Sequence, residues 1–111
     1  MAFLEKDKLD GAADMYRMSE TVKKYTLRDN GFEQSKNGHF QFSRDLEIGS
    51  PKSPKLKMTV AGDLKTFKMS AVTANGLRSV NLYKGDAFKE AQERAGYILT
   101  GFVESGILEK V

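Results

Sequence analysis

The sequence predicts an α+β fold, with antiparallel β-sheets built from hairpins packed against one long C-terminal helix. Three observations carry this. Apolar and polar residues alternate over 55–60 and 67–71, the period of a strand with one buried face. Asp-Gly or Asn-Gly pairs stand where such runs would turn back. Phe88, Ala91, Ala95, Ile98, Leu99 and Phe102 recur at helical spacing. With 40% hydrophobic and 30% charged residues in 111, the chain is long enough to close one core, so residues 1–111 read as a single domain.

Taken in chain order, Asp10-Gly11 suggests a turn joining Phe3–Leu9 to Met15–Met18, although weak alternation leaves the register open. Residues 19–31 read as a short helical turn followed by extended chain, with Ser19 as a cap and Gly31 as a stop. At Asn37-Gly38 a two-residue loop would set Phe40 and Phe42 opposite Ser35 and Glu33. A three-residue loop, Lys36-Asn37-Gly38 with a left-handed glycine, instead pairs Phe32 with Phe42 and Gln34 with Phe40, which keeps the rings together. Beyond it Phe40, Phe42, Leu46 and Ile48 share one face, and His39, Gln41, Ser43, Asp45 and Glu47 the other. Gly49-Ser50-Pro51-Lys52-Ser53-Pro54 reads as a surface loop, because two prolines exclude helix and central strand.

Leu56, Met58 and Val60 then alternate with Lys55, Lys57 and Thr59; Phe67, Met69 and Ala71 alternate with Lys68 and Ser70; Val80 and Leu82 alternate with Ser79, Asn81 and Tyr83. Asn75-Gly76 predicts a type I′ turn that sets Ala71 opposite Val80 and Met69 opposite Leu82. For the C-terminal helix, Asp86 is the expected N-cap and Gly106 the residue just past the end. Gly96 and Gly101 each cost about 1 kcal/mol of helix propensity relative to Ala, so close approach of the sheet is the expected compensation.

Zero cysteines remove disulfides, thiol nucleophiles and iron–sulfur ligation, and one histidine excludes a multi-histidine metal site. No metal and no cofactor is expected. The charged N-terminal residues predict no signal peptide, and no apolar run approaches the ~20 residues of a membrane helix, so a cytoplasmic location away from membranes is expected. Phosphate-loop, dinucleotide-binding, zinc-protease and EF-hand patterns are all missing, and no catalytic constellation is recognisable. His39 borders a turn on the polar side of its strand, where solvation accounts for it better than catalysis. Asp45 and Glu47 share a wet face at a spacing more typical of solvated carboxylates than of a metal site.

Two candidate sites remain. Arg44 lies on apolar parity between Phe42 and Leu46, where a cation must pair, snorkel or meet a ligand anion. A structural pair with Asp29 or a helix carboxylate competes there with anion recognition, and either requires partial burial. The second site is a basic face. The net charge of +3 conceals residues 51–85, where seven Lys or Arg face Asp63 alone. Lys55, Lys57 and Lys68 share the outer parity there with Tyr83, which would suit RNA, phosphate or an acidic partner; a solvated face that discourages edge pairing is the alternative.

The stretches Lys23-Lys24-Tyr25-Thr26-Leu27-Arg28-Asp29-Asn30-Gly31-Phe32, Lys36-Asn37-Gly38 and Thr73-Ala74-Asn75-Gly76-Leu77 resemble an uncharacterised domain family of lactic-acid and related Gram-positive bacteria, labelled "putative amino acid metabolism". The resemblance covers nearly the whole chain. It implies two β-sheets against one long helix and a setting in amino-acid metabolism, with sulfur amino acids and a cysteine desulfurase-like partner enzyme as candidates. A remote fold likeness to S-adenosylmethionine decarboxylases transfers no catalysis, since their supporting cysteine has no counterpart here. Beside Arg44, the stretch marks Arg28, Asp29 and Asn30 as candidate ligand contacts for a small anionic metabolite; Asn30-Gly31 as a tight turn is the structural alternative. The leading expectation is thus a non-catalytic binding or accessory domain, and the second an RNA- or anion-binding module on the basic face.

Overall fold

Alternation in the sequence becomes two antiparallel sheets in a computed structural model that describes residues 3–9, 11–12, 14–47, 49, 51–84 and 88–111. The elements are β1 (Lys6–Asp7), β2 (Tyr16–Met18), α1 (Lys24–Asp29), β3 (Glu33–Gln34), β4 (Phe40–Asp45), β5 (Lys55–Val60), β6 (Phe67–Val72), α2 (Lys89–Glu104) and β7 (Leu108–Lys110). One sheet has the order β3-β4-β5-β6 and the other β1-β2-β7, so the fold is α+β with a long C-terminal helix, as expected.

The larger sheet stacks its apolar residues in rows. Phe40, Val60 and Phe67 face one another across β4, β5 and β6, and Phe42, Met58 and Met69 form the next row. All six are buried. Ala91, Ala95, Leu99 and Phe102 of α2 join the same apolar cluster, as do Tyr16, Met18 and Leu108 of the smaller sheet. The rings of Phe32, Phe42 and Phe102 meet at centroid distances of 5.1–5.4 Å, edge to face between Phe42 and Phe102. Such pairs add ~1 kcal/mol each beyond area burial and join β4, its neighbouring loop and the helix.

The bulged loop forms with the expected register. Gln34 pairs with Phe40, Ser35 N–H donates to His39 O at 2.7 Å, and Gly38 takes φ +88°. Only glycine enters that region cheaply. Gly62 packs against the same loop so closely that a Cβ there would stand 2.9 Å from the Gly38 carbonyl oxygen.

Four expectations need correction. Asn75-Gly76 is not a type I′ turn, since Gly76 takes positive φ and Asn75 does not; Gly76 N–H closes onto Thr73 O at 2.8 Å in a longer loop. The register survives, with Val80 N–H on Ala71 O at 2.7 Å, but pairing stops at the Val72–Ser79 bridge and residues 80–83 form no strand. Leu82 is nonetheless fully buried, because the apolar pattern that suggested a strand serves core packing instead. Gly96 and Gly101 approach nothing: an added Cβ at either would have no atom within 4 Å. Both lie off the helix face carrying Ala91, Ala95, Leu99 and Phe102, so their propensity cost is uncompensated by packing. Phe88, not Asp86, occupies the N-cap of α2, without a side-chain cap bond. Asp86 itself, like Asp10 and Ile48, lies outside the described residues.

At the other end of α2, Gly106 N–H binds Val103 O and Ile107 N–H binds Phe102 O, the double closure that lets the chain reverse. The chain then runs directly into β7, a strand the sequence reading missed, which pairs along all three residues of β2. The 49–54 loop is also less superficial than expected. The buried Ser53 hydroxyl accepts Leu46 and Glu47 N–H groups at 3.1 and 2.8 Å, and Pro54 is buried beside it.

Candidate functional site

The outer face of the larger sheet is hollowed into a groove. Its floor consists of two cross-strand rows, Gln41–Thr59–Lys68 and Ser43–Lys57–Ser70. A twisted sheet face left alone would have no walls. Here two short segments dock along the outer edge of β6 and rise as walls. At the start of β6, Leu4 and Phe67 exchange both backbone hydrogen bonds, at 2.8 and 2.9 Å. One Asp7 carboxylate oxygen then accepts Met69 N–H at 2.9 Å. At the end of β6, the Val80 bond to Ala71 brings up the loop carrying Leu77 and Arg78. These contacts occupy the ladder groups of Phe67, Met69 and Ala71, which protects an edge otherwise open to strand pairing. The hollow, open to solvent on one side, measures about 650 Å³, within the range of small-molecule sites.

Lys57, Lys68 and Arg78 line this cavity. None of the three forms an ion pair among the described residues. Among the described residues Asp7 is the one carboxylate in the lining, and its second oxygen accepts Lys8 N–H at 2.8 Å, so both oxygens serve backbone donors. Lys57 and Lys68 lie on a cross-strand diagonal, Lys57 opposite Ser70 and Lys68 opposite Thr59, which separates the like charges by about 7–8 Å at the backbone. The Lys68 ammonium stands 5.3 Å from the Phe3 ring centroid, and that ring lies 4.8 Å from His39. Gly62 N–H donates to His39 Nδ1 at 3.3 Å, which assigns the proton of a neutral imidazole to Nε2.

The sequence-predicted residues divide sharply. Lys57 and Lys68 come together as expected. Lys55 lies one row further along, 3.9 Å from Asp45 and outside the groove lining. Tyr83 is not on the basic face at all: it packs half-buried against the core, and burial together with nearby Tyr16 and Asp14 raises its phenol above the usual tyrosine range. Its parity argument failed because no strand exists there. Phe3, Asp7 and Arg78 are groove residues that the outer-parity reading did not collect, because the walls come from chain segments distant in sequence, whereas His39 lies on the wet side that its parity predicts.

Arg44 also corrects an expectation. It is exposed rather than partly buried, and among the described residues it makes no ion pair with Asp29 or a helix carboxylate. β3 reaches only as far along β4 as Phe40 and Gln41, so the Arg44 stem runs out over an uncovered edge and its guanidinium settles 5.2 Å from the Phe42 ring centroid. Asn30 and Arg44 do share a shallow cleft, but Glu104 lines it too, and Asn30 is committed to Thr26 O at 2.8 Å and to Ser105 Oγ at 3.2 Å. Arg28 hydrogen-bonds Gln34 at 3.1 Å, and neither it nor Asp29 lines that cleft. Asp45 and Glu47 lie outside the groove that holds His39, so the three do not converge.

Among the described residues no helix is long and apolar enough to cross a membrane, and no three His, Asp or Glu side chains gather as a metal site would require. The fold and groove define a class: a small α+β domain with one long helix and a basic hollow on the outer face of its larger sheet. The chain belongs to the domain-of-unknown-function family DUF1831, described as "putative amino acid metabolism", whose model matches residues 1–109. It is similar to a protein of that family from Lactobacillus plantarum with a crystal structure: 48% identity, a TM-score of 0.92, and coverage of 100% of this chain and 99% of that one. No curated protein matches.

Proposed function

We propose that this protein is a cytoplasmic binding domain of amino-acid metabolism that takes a small anionic metabolite in the groove on its outer sheet face. The observation that carries the reading is the set of three cations, Lys57, Lys68 and Arg78, around a hollow of about 650 Å³ whose only carboxylate among the described residues is held by backbone N–H groups. Three like charges facing one hollow repel one another, and a bound anion relieves that repulsion while gaining charge-assisted hydrogen bonds. A partner enzyme is the less favoured occupant, because the site is concave and of ligand size. RNA is the second reading, supported by the basic 51–85 segment; walls on both ends of β6 favour a compact ligand over a through-running strand.

Thermal-shift titration with anionic amino acids, carboxylates and phosphates tests this, since a ligand that binds only the folded state raises Tm with concentration. At least one class is expected to raise the wild-type Tm and to lose that effect in Lys57→Gln/Arg78→Gln. If no anion acts, or if the variant responds as the wild type does, the groove is not the site. Binding of single-stranded RNA that weakens steeply with salt and is lost in the same variant would transfer the groove to the second reading.

A further inference from the structure

The groove's charge and shape narrow the ligand beyond "anion". With Asp7 set against the three cations the lining carries a net +2, and a carboxylate, with one negative charge and two oxygens, would leave one positive charge without a counter-charge. A phosphate monoester brings ~1.5–2 negative charges near neutral pH and three terminal oxygens. That matches the net +2 left when the Asp7 carboxylate is set against Lys57, Lys68 and Arg78, and gives each cation one oxygen. The diagonal offset of Lys57 and Lys68 suits a group that accepts from both sides, and the Ser70 hydroxyl, directly opposite Lys57 and two residues beyond Lys68 on the same strand, stands among them as a further donor. Inorganic phosphate would fill only a small part of about 650 Å³. The rest of the lining includes Leu4, Val72 and Leu77, with Leu77 81% exposed at the rim, and calls for an organic portion with apolar surface.

Resting on the small-anion reading above, we propose that the groove binds a phosphate monoester of a small organic molecule, its phosphoryl group held by Lys57, Lys68 and Arg78. A phosphodiester chain carries a single charge per phosphate and is disfavoured by the same arithmetic.

Calorimetric titration of the full chain with phenyl phosphate, O-phosphoserine and adenosine monophosphate, against phenyl sulfate, benzoate and serine, tests the class. Phenyl sulfate is the key control, since it has the shape of phenyl phosphate but keeps one charge at every pH used. At about pH 7.5 phenyl phosphate is expected to bind about tenfold more tightly than phenyl sulfate, the equivalent of one charge-assisted hydrogen bond. At about pH 5.5 that ratio is expected to shrink about fourfold, because the second phosphate pKa lies near 6 and most of the ligand becomes monoanionic. Repeating the pair of titrations in His39→Asn takes the imidazole of the lining out of the comparison. Lys57→Gln and Arg78→Gln, both at exposed positions, are each expected to remove the advantage of phosphate over sulfate.

Equal binding of phenyl sulfate or benzoate, or a ratio that ignores pH, would overturn the phosphate assignment and leave the small-anion reading standing. Failure of every probe, with the anion screen also silent, would remove both. Tighter binding of an oligonucleotide lacking a terminal phosphate would overturn it in favour of nucleic acid.

Discussion

The two faces of the β3-β4-β5-β6 sheet are built from alternate residues of the same strands, yet one is a core and the other a candidate site. On the inner face Phe40, Val60 and Phe67, then Phe42, Met58 and Met69, are covered by both helices' apolar side chains and lie buried. On the outer face the neighbours Gln41, Thr59 and Lys68, then Ser43, Lys57 and Ser70, receive no helix or second sheet among the described residues; two edge segments rise beside them, and of the six Thr59 alone is buried. The difference shows what a second layer does. Where a helix covers a face, burial selects apolar residues, and where only walls form, the floor retains cations that form no ion pair among the described residues and so remain available to a ligand.

Breaking the inner face should have the largest effect. Phe67→Ala is expected to cost about 3–5 kcal/mol in denaturant unfolding, since a fully buried ring is replaced by a cavity. Lys68→Gln, one residue along, should change stability by less than about 0.5 kcal/mol, because its side chain faces the groove. Comparable losses at the two positions would mean that the faces are not divided in this way.

Leu82→Ala should follow, at about 2–5 kcal/mol, because Leu82 is fully buried although it lies outside any strand. A loss below about 1 kcal/mol would show that residues 80–83 are peripheral to the core.

Asp7→Ala separates the wall from the floor. It leaves Met69 N–H without its acceptor, at an expected cost of about 1–3 kcal/mol. Removing this carboxylate from the groove should at the same time strengthen anion binding, so stability and affinity are expected to move in opposite directions.

Gly96→Ala should stabilise by about 0.5–1 kcal/mol, since the position is helical, exposed and open around an added Cβ. Unchanged stability would mean that α2 gains nothing from a better helix former there.

The smallest effect concerns alkaline pH and lies away from both faces. Burial, then nearby Asp14 for Tyr16, and burial, then Tyr16 and Asp14 for Tyr83, hold the two phenols above their usual pKa. Above about pH 10 the unfolded chain releases these protons while the folded chain retains them, so stability should fall from that pH until the folded groups ionise too. Tyr83→Phe should flatten that part of the curve, and an identical alkaline profile would argue against a raised phenol.

Much of the fold was legible because its signals are local. Alternation at Lys55–Val60 and Phe67–Val72, the left-handed glycine at Gly38 and the periodicity of α2 each reside within a few residues of sequence. β7 was missed because a three-residue strand following a helix has too few residues to display a period, and its pairing partner β2 is about 90 residues away. The Val80–Leu82 alternation misled for the converse reason, since an apolar side chain enters a core equally well from irregular backbone.

The candidate site follows the same division. Composition and alternation by themselves determined that the strands have one apolar and one basic face, that Lys57 and Lys68 share the basic one, and that the chain lacks thiol chemistry and multi-histidine metal chemistry. Only the tertiary structure decided that this face is a hollow rather than a plane, that Arg78 joins it while Lys55 and Tyr83 do not, and that Arg44 escapes over an edge where β3 ends. The reason is physical: side-chain parity is set by the pleat of a single strand, whereas concavity and charge balance depend on which distant segments hydrogen-bond to the edge of β6, and no local period records that pairing.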